Sequence, residues 1–400
     1  MNRRFSCRSV LMPAVLLFAI SVLAQRQSEF PDPSLNHPDF KPSVVQTKMP
    51  ESVLIVKRTE VVKAKYPVID IHFHGRDLET AEDYRELLHK LDSVGVAIIT
   101  NLNMGFREVF DRHIDVGKPF SDRVIPFARV DWEEINSPGW SQRAAAELER
   151  MFQAGAQGLK IWKDLGLQLR NPDGSYIHSD DPRLAPIWQT CAEYNRPVLM
   201  HLSDAIARFH PIGPANERYE AGLWRESPEG NYYGTGQPTH DQIFVHWEKM
   251  IQQQPKTIFV MAHFAETPWD LARVANWLER YPNMFVEFSS RLAELGRQPY
   301  TARRFFLKYQ DRILFGSDNN PSSIPDEEWR PYWRFLETDD EYFDFPVQLR
   351  STFGFSMQGR WKINGIFLPD DVLQKIYYAN ALKLMPGLEA AFTRQLIGGR

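Results

Sequence analysis

Eight short apolar runs alternate with amphipathic segments over about 250 residues, and no glycine-rich phosphate loop follows the first run. Together these predict an α/β protein of the (β/α)8 TIM-barrel class. An open doubly wound parallel sheet is the runner-up, and the missing phosphate loop counts against it.

The strand-like runs are Val68 to His74, Val96 to Asn101, Val124 to Asp131, Gly158 to Trp162, Pro197 to His201, Thr257 to His263, Met284 to Ser289 and Arg312 to Asp318. Helical patterns lie between them at Glu82 to Val94, Ser141 to Ala154, Pro182 to Tyr194, His240 to Gln253, Trp269 to Arg280 and Ala302 to Lys308. Two connections are too long for ordinary loops. Leu202 to Thr239 follows strand five and carries Pro211, Pro214, Trp224, Tyr232 and Tyr233; Asn319 to Leu368 follows strand eight and is rich in aromatic residues. Long βα connections sit at the C-terminal face of a barrel, so both read as walls over a site or as oligomer contacts. Asp370 to Met385 reads as a closing helix.

Upstream of the barrel, Met1 to Ala24 has the form of a secretory signal peptide. Arg3, Arg4 and Arg8 give the basic start, Val10 to Ala24 the apolar core and Val22-Leu23-Ala24 the small-residue cleavage site. The apolar run is shorter than the ~20 residues that span a bilayer. Export is therefore expected, with no stable membrane anchor after cleavage. Residues 25–50 form a Pro-rich linker, and 51–65 read as a β-ribbon of Ser52 to Val56 and Glu60 to Val62. The barrel domain is expected over 66–386 and a tail over 387–400. The net charge of −4 becomes −7 once the three arginines of the leader are removed, with no basic run, which argues against a nucleic-acid partner. Cys7 leaves with the leader and Cys191 has no partner, so the fold rests on its core rather than on a disulfide.

The chemistry gathers at strand ends. In Asp70-Ile71-His72-Phe73-His74, strict alternation places Asp70, His72 and His74 on the face opposite Ile69, Ile71 and Phe73. Imidazoles two residues apart on a strand lie within reach of one zinc-type ion. Strand five stops at His201, strand six at His263 and strand eight at Asp318, so five ligand-type residues fall on one rim.

These residues, with Gly316-Ser317-Asp318 and Tyr378-Ala379-Asn380-Ala381, resemble the amidohydrolase superfamily from about Tyr66 to Met385. The likeness is to the branch that includes aminocarboxymuconate-semialdehyde decarboxylase and the resorcylate decarboxylases. The resemblance implies that His72, His74, His201 and Asp318 bind one divalent metal, usually zinc, and that His263 stands beside it. In that role Asp318 takes the proton of an activated water, and His263 donates to the developing oxyanion or orients the nucleophile. Lys160, near the end of strand four, falls where two-metal members such as the phosphotriesterases carry a carboxylated lysine. On that reading His201, His263 and Lys160 hold a second ion; on the other, Lys160 meets substrate charge. Arg129 on strand three is a candidate for a substrate carboxylate or for a structural salt bridge, and Glu287 is a supporting or core residue. His240 and His246, with Trp247, read as helix surface and lid packing. His37, His89, His113, His178 and His210 are assigned nothing.

Three functions compete. The first is an exported metal-dependent hydrolase acting on a C–N or C–O bond of a small organic molecule. The second is a nonoxidative decarboxylase of an aromatic or enoic acid. The third is a barrel that binds without turnover. A homodimer is the commonest assembly to expect.

Overall fold

Eight parallel strands are joined by helices: β1 Val68–Phe73, β2 Val96–Asn101, β3 in two pieces (Val124–Pro126 and Ala128–Arg129), β4 Leu159–Ile161, β5 Val198–Met200, β6 Phe259–Met261, β7 Met284–Glu287 and β8 Ile313–Leu314. The computed structural model describes residues 52–211, 213, 215–218, 231–345 and 361–398. The expected leader (1–24), the linker (25–50), Trp224 with much of the first insertion, and residues 346–360 of the second lie outside the described residues.

The ladders run β1-β2-β3 and β3-β4-β5-β6-β7-β8 in order. Pro126, which has no N–H to give to a ladder, marks the interruption of β3. The chain continues across it through the Phe127 amide, which donates to the Asn101 carbonyl at 3.1 Å. The ring closes between β8 and β1. Ile71 N donates to Phe315 O at 3.1 Å, Asp318 N donates to His72 O at 2.7 Å, and Phe73 bridges Asn319 in parallel. The protein is thus a TIM barrel, as the alternation predicted.

Inside the barrel, Ile69, Ile71, Leu199, Val260, Phe285 and Leu314 form one apolar cluster, with Ala391 and Phe392 beneath it. The outer helices complete the larger core. The helix Ala81–Val94 buries Tyr84, Leu87, Leu91 and Val94, starts at a Thr80–Asp83 capping box and stops at Gly95, whose φ of 90° lies in the left-handed region that glycine tolerates.

Several expectations need correction. Strict alternation fails in β1, whose register with β2 shifts between Asp70 and Phe73. Ile71 and its neighbour His72 both turn into the barrel, while Phe73 stacks outside on Trp329. A bulge that re-aims side chains beside a site accounts for this. Residues 52–62 form no strand. Val53 and Ile55 are fully exposed, and the segment is held by side chains instead: Thr59 N and Oγ1 donate to Asp340 at 2.6 and 2.7 Å. A two-stranded ribbon does occur, at Phe343–Asp344 and Lys362–Ile363. The closing helix has a π-helical middle, Lys375–Ala379, between Asp370–Gln374 and Asn380–Leu384. The stretch expected to be a tail contains the helix Glu389–Gly398, which plugs the barrel's N-terminal end through Phe392. Helices Arg107–Gly117 and Arg330–Glu337 were not foreseen. Among the described residues no helix is long and apolar enough to cross a membrane.

Candidate metal centre

Each imidazole on the β1 rim is oriented by a partner on its outer nitrogen. His72 Nδ1 lies 2.8 Å from Glu287 Oε1, and His74 Nδ1 lies 2.9 Å from Asn103 Oδ1. An acceptor on Nδ1 fixes the proton there and leaves the Nε2 lone pair facing inward. Both lone pairs meet the same oxygen. Asp318 Oδ1 stands 2.9 Å from His74 Nε2 and 3.3 Å from His72 Nε2. Asp318 reaches this position in a left-handed conformation, φ 68°, that Asp tolerates better than most residues. Its Oδ2 accepts from the Ser290 hydroxyl at 3.1 Å. Tyr332, brought in by the second insertion, braces the same corner by accepting from Ser290 N at 2.8 Å and donating to Ser317 O at 3.1 Å. Behind the rim, Asp70 accepts from His72 N at 3.1 Å and from Ser317 N at 3.0 Å, which locks β1 to β8.

After β6 the backbone turns left-handed over four consecutive residues, His263, Phe264, Ala265 and Glu266, with φ of 53, 59, 55 and 50°. Such conformations cost roughly 1–2 kcal/mol per residue and persist where the surroundings over-determine them. Here the surroundings are named bonds. His263 N donates to Glu287 Oε1 at 2.9 Å, His263 Nδ1 lies 2.9 Å from the Ser289 carbonyl, and the Glu266 carbonyl lies 3.2 Å from His240 Nε2. His240 and Trp247 are therefore buried supports rather than helix surface. His246 is half-buried, paired with Asp180 at 2.7 Å and stacked on His178.

The turn sorts the ligand-type residues into two sets that share His263. One is His72, His263 and Asp318, with His74 on the same Asp318 oxygen; the other is His201, His263 and Glu266. His201 stands against Glu266, with Nε2 2.9 Å from Oε1, where the left-handed turn has swung that carboxylate.

Burial drives His72 and His201 well below the usual imidazole range and His263 down to about 3, so all three are neutral at physiological pH. Burial opposes the ionised form of Asp318, and the Ser290 hydroxyl that donates to Oδ2 favours it. Burial pushes Lys160 down to about 8 against the pull of Asp318, Glu287 and Glu266. Its Nζ lies 3.4 Å from His72 Nε2, inside the cluster. Arg129 adjoins it through Trp162, whose ring meets His74 edge-on at 5.3 Å. Its guanidinium stacks on the Trp162 ring at 4.7 Å and lines a side cavity of about 220 Å³ with Arg107, Asp131 and Arg143.

The donor set fits a divalent ion: neutral imidazoles with inward lone pairs, one ionised carboxylate, and two buried atoms, His201 Nε2 and Glu266 Oε1, that make no hydrogen bond. Sequence reasoning missed Glu266, Asn103 and Ser289. Only a left-handed turn brings Glu266 to the site, and no residue pattern in His263-Phe264-Ala265-Glu266 announces one.

Residues 69–386 match the family model described as Amidohydrolase. No curated protein matches the sequence. A solved 2,6-dihydroxybenzoate decarboxylase in complex with 2,6-dihydroxybenzoate is similar at a TM-score of 0.50 and 17% identity, covering 80% of this chain and 99% of that one. A dihydroxybenzoic acid decarboxylase from Polaromonas sp. JS666, with bound manganese and the inhibitor 2-nitroresorcinol, is similar at a TM-score of 0.51 and 15% identity, covering 80% and 97%. At these identities the likeness is one of fold.

Proposed function

The chain belongs to the amidohydrolase family, and from that premise we propose that it is an exported, metal-dependent hydrolase acting on a C–N or C–O bond of a small organic molecule. The observation that carries the reading is the convergence of His72 Nε2 and His74 Nε2 on Asp318 Oδ1 at 3.3 and 2.9 Å. His72, His74, His201 and Asp318 would hold one divalent ion, zinc by donor type, with His263 adjoining. When bound, such an ion polarises a carbonyl and lowers the pKa of water toward roughly 7.

The chain's own groups divide the remaining work. Asp318 Oδ2, steadied by the Ser290 hydroxyl, takes the proton of the attacking water and returns it to the leaving group. His263 has its Nδ1 committed to the Ser289 carbonyl, so its Nε2 orients a nucleophile or substrate hydroxyl by accepting a hydrogen bond from it. Donation to an oxyanion, the other role expected of His263, passes to the Lys160 ammonium. No nucleic-acid partner is proposed, and a homodimer is the proposed assembly.

A second reading, nonoxidative decarboxylation, is favoured by Lys160 alone. Among the described residues no carboxylate lies within ion-pair distance of its buried ammonium, which leaves that charge available for a substrate carboxylate. The solved decarboxylase bound to 2,6-dihydroxybenzoate supplies the panel for the test. Elemental analysis of the purified chain should find a zinc-type ion, and His72→Ala should lose metal and turnover together. Turnover of esters, lactones or amides supports the hydrolase; carbon dioxide release from hydroxybenzoates with no hydrolysis supports the lyase. A fully active metal-free preparation overturns both.

A further inference from the structure

We propose that Arg129 and the Trp162 ring it stacks on form a subsite for a substrate carboxylate, so that the molecule hydrolysed is an organic acid gripped by a carboxylate remote from the bond that breaks. The inference rests on the metal-dependent reading above and names the substrate class of that site.

Arg129 and Lys160 are register partners on the adjacent parallel strands β3 and β4. Paired strands lie about 4.8 Å apart, and residues in register project from the same face, so two cations stand side by side within the barrel. Like charges on paired strands repel. Burial lowers the pKa of both groups, and the charge of Arg129 lowers that of Lys160 further. Such a pair calls for a negative charge close by.

Among the described residues none answers Arg129. Its guanidinium makes no hydrogen bond and no ion pair there, only the stack on Trp162 at 4.7 Å. Asp164, whose charge pulls on it, lies beyond ion-pair distance and accepts from Trp132 Nε1 at 3.0 Å. Trp162 adds a further unanswered donor, because its Nε1 is buried without a hydrogen bond, whereas a buried indole N–H usually finds a partner.

A guanidinium laid on an aromatic ring keeps its N–H edge free for the two parallel bonds that a carboxylate accepts, and the stack fixes the plane of that fork. The same indole meets the His74 ring with centroids 5.3 Å apart. One indole therefore separates the Arg129 fork from the metal rim. A carboxylate bound at Arg129 is a handle rather than the reacting group, and Lys160, with Nζ 3.4 Å from His72 Nε2, stays with the chemistry.

The test uses the full zinc-loaded chain and four probes, isophthalate and terephthalate and the monoamide of each, titrated by calorimetry. Every probe keeps one carboxylate for the rim, and only the diacids bring a second for Arg129. At least one diacid should bind the wild type about 10-fold or more tighter than its monoamide, the scale of a hydrogen-bonded charge pair. Arg129→Met should abolish that ratio and Arg129→Lys should keep part of it, while the monoamide affinity and the zinc affinity, read by competition titration with a chromogenic chelator, stay within about twofold. A crystal structure of the wild type with the preferred diacid, which needs no variant to fold, should show a carboxylate on the Arg129 fork. Equal binding of acid and amide at both spacings, a ratio that survives Arg129→Met, or a diacid bound away from Arg129 overturns the subsite and leaves the metal-dependent reading standing. A wild type that binds no zinc overturns that reading and the proposal with it, so the two failures are distinct.

Discussion

Glu287 Oε1 lies 2.8 Å from His72 Nδ1 and 2.9 Å from the backbone nitrogen of His263. One carboxylate oxygen on β7 therefore ties the β1 imidazole to the left-handed turn after β6, and the Ser289 hydroxyl donates to the same oxygen at 2.9 Å. The two ligand sets are coupled through this oxygen. A shift of Glu287 changes the aim of His72 and the anchoring of His263 at once.

Glu287→Gln keeps the volume and an acceptor oxygen but removes the charge that raises the basicity of His72. Partners behind metal-ligating histidines typically contribute 10- to 100-fold in affinity. Zinc affinity of the variant should fall by about that factor while its far-ultraviolet circular dichroism stays unchanged. Unaltered affinity in the competition titration would reduce Glu287 to a packing residue.

Gly316 sits where any side chain would intrude on this pair. A Cβ there would stand 2.5 Å from Glu287 Oε2 and 2.9 Å from the His72 Cβ. Neither neighbour is a free end that can swing away. Overpacking of this kind typically costs about 1–3 kcal/mol. Gly316→Ala should lower stability by that amount in urea denaturation and weaken zinc binding in the same preparation. A variant matching the wild type in both would show that the rim yields more easily than its bonds imply.

Lys160 gives a pH signature in the chelator-treated protein. Burial lowers its folded pKa to about 8 from an unfolded value near 10.5, so the folded state binds fewer protons between those values and stability rises with pH across that window. Below pH 8 the charged amine destabilises the fold in full. At 1.36 kcal/mol per pKa unit that is about 3 kcal/mol. Lys160→Met should therefore be the more stable protein at pH 7, with the gap shrinking to below about 1 kcal/mol at pH 10. Parallel urea titrations at the two pH values read this directly, and a gap independent of pH would contradict it.

How much of this was legible beforehand follows from what each feature depends on. The barrel was, because eight apolar runs separated by amphipathic segments have few other ways to bury themselves. The rim residues His72, His74, His201, His263 and Asp318 were, because a polar residue ending an apolar strand is a local signal. The inward turn of His72 was not: alternation is a rule for regular strands, and the bulge between Asp70 and Phe73 is set by pairing with β2 and β8. Glu266 was hidden for the same reason, since four left-handed residues without glycine arise from tertiary bonds to Glu287, Ser289 and His240. Arg129 was legible as a barrel-strand residue, and the direction of its guanidinium, which lies on the Trp162 ring, was not.

The C-terminal helix provides a test at the far end of the molecule. Its short span, with apolar residues at Ala391, Phe392, Leu396 and Ile397, gave little sign of a buried face, and the exposed Leu396 and Ile397 show why. Phe392 nevertheless stacks on Tyr378 with centroids 4.9 Å apart and closes the apolar interior against Ile69, Ala97 and Val260. Emptying such a buried aromatic site typically costs about 3–5 kcal/mol. Phe392→Ala should lose stability on that scale, whereas Arg394→Ala, which breaks only an exposed pair with Asp122, should scarcely change it. Zinc affinity should stay within about twofold in both, because the plug and the metal rim lie at opposite ends of the strands and distant, independent sites behave additively. A stable Phe392→Ala protein would mean that the barrel interior closes without this helix, and lost zinc affinity would mean that the plug sets the spacing of the rim.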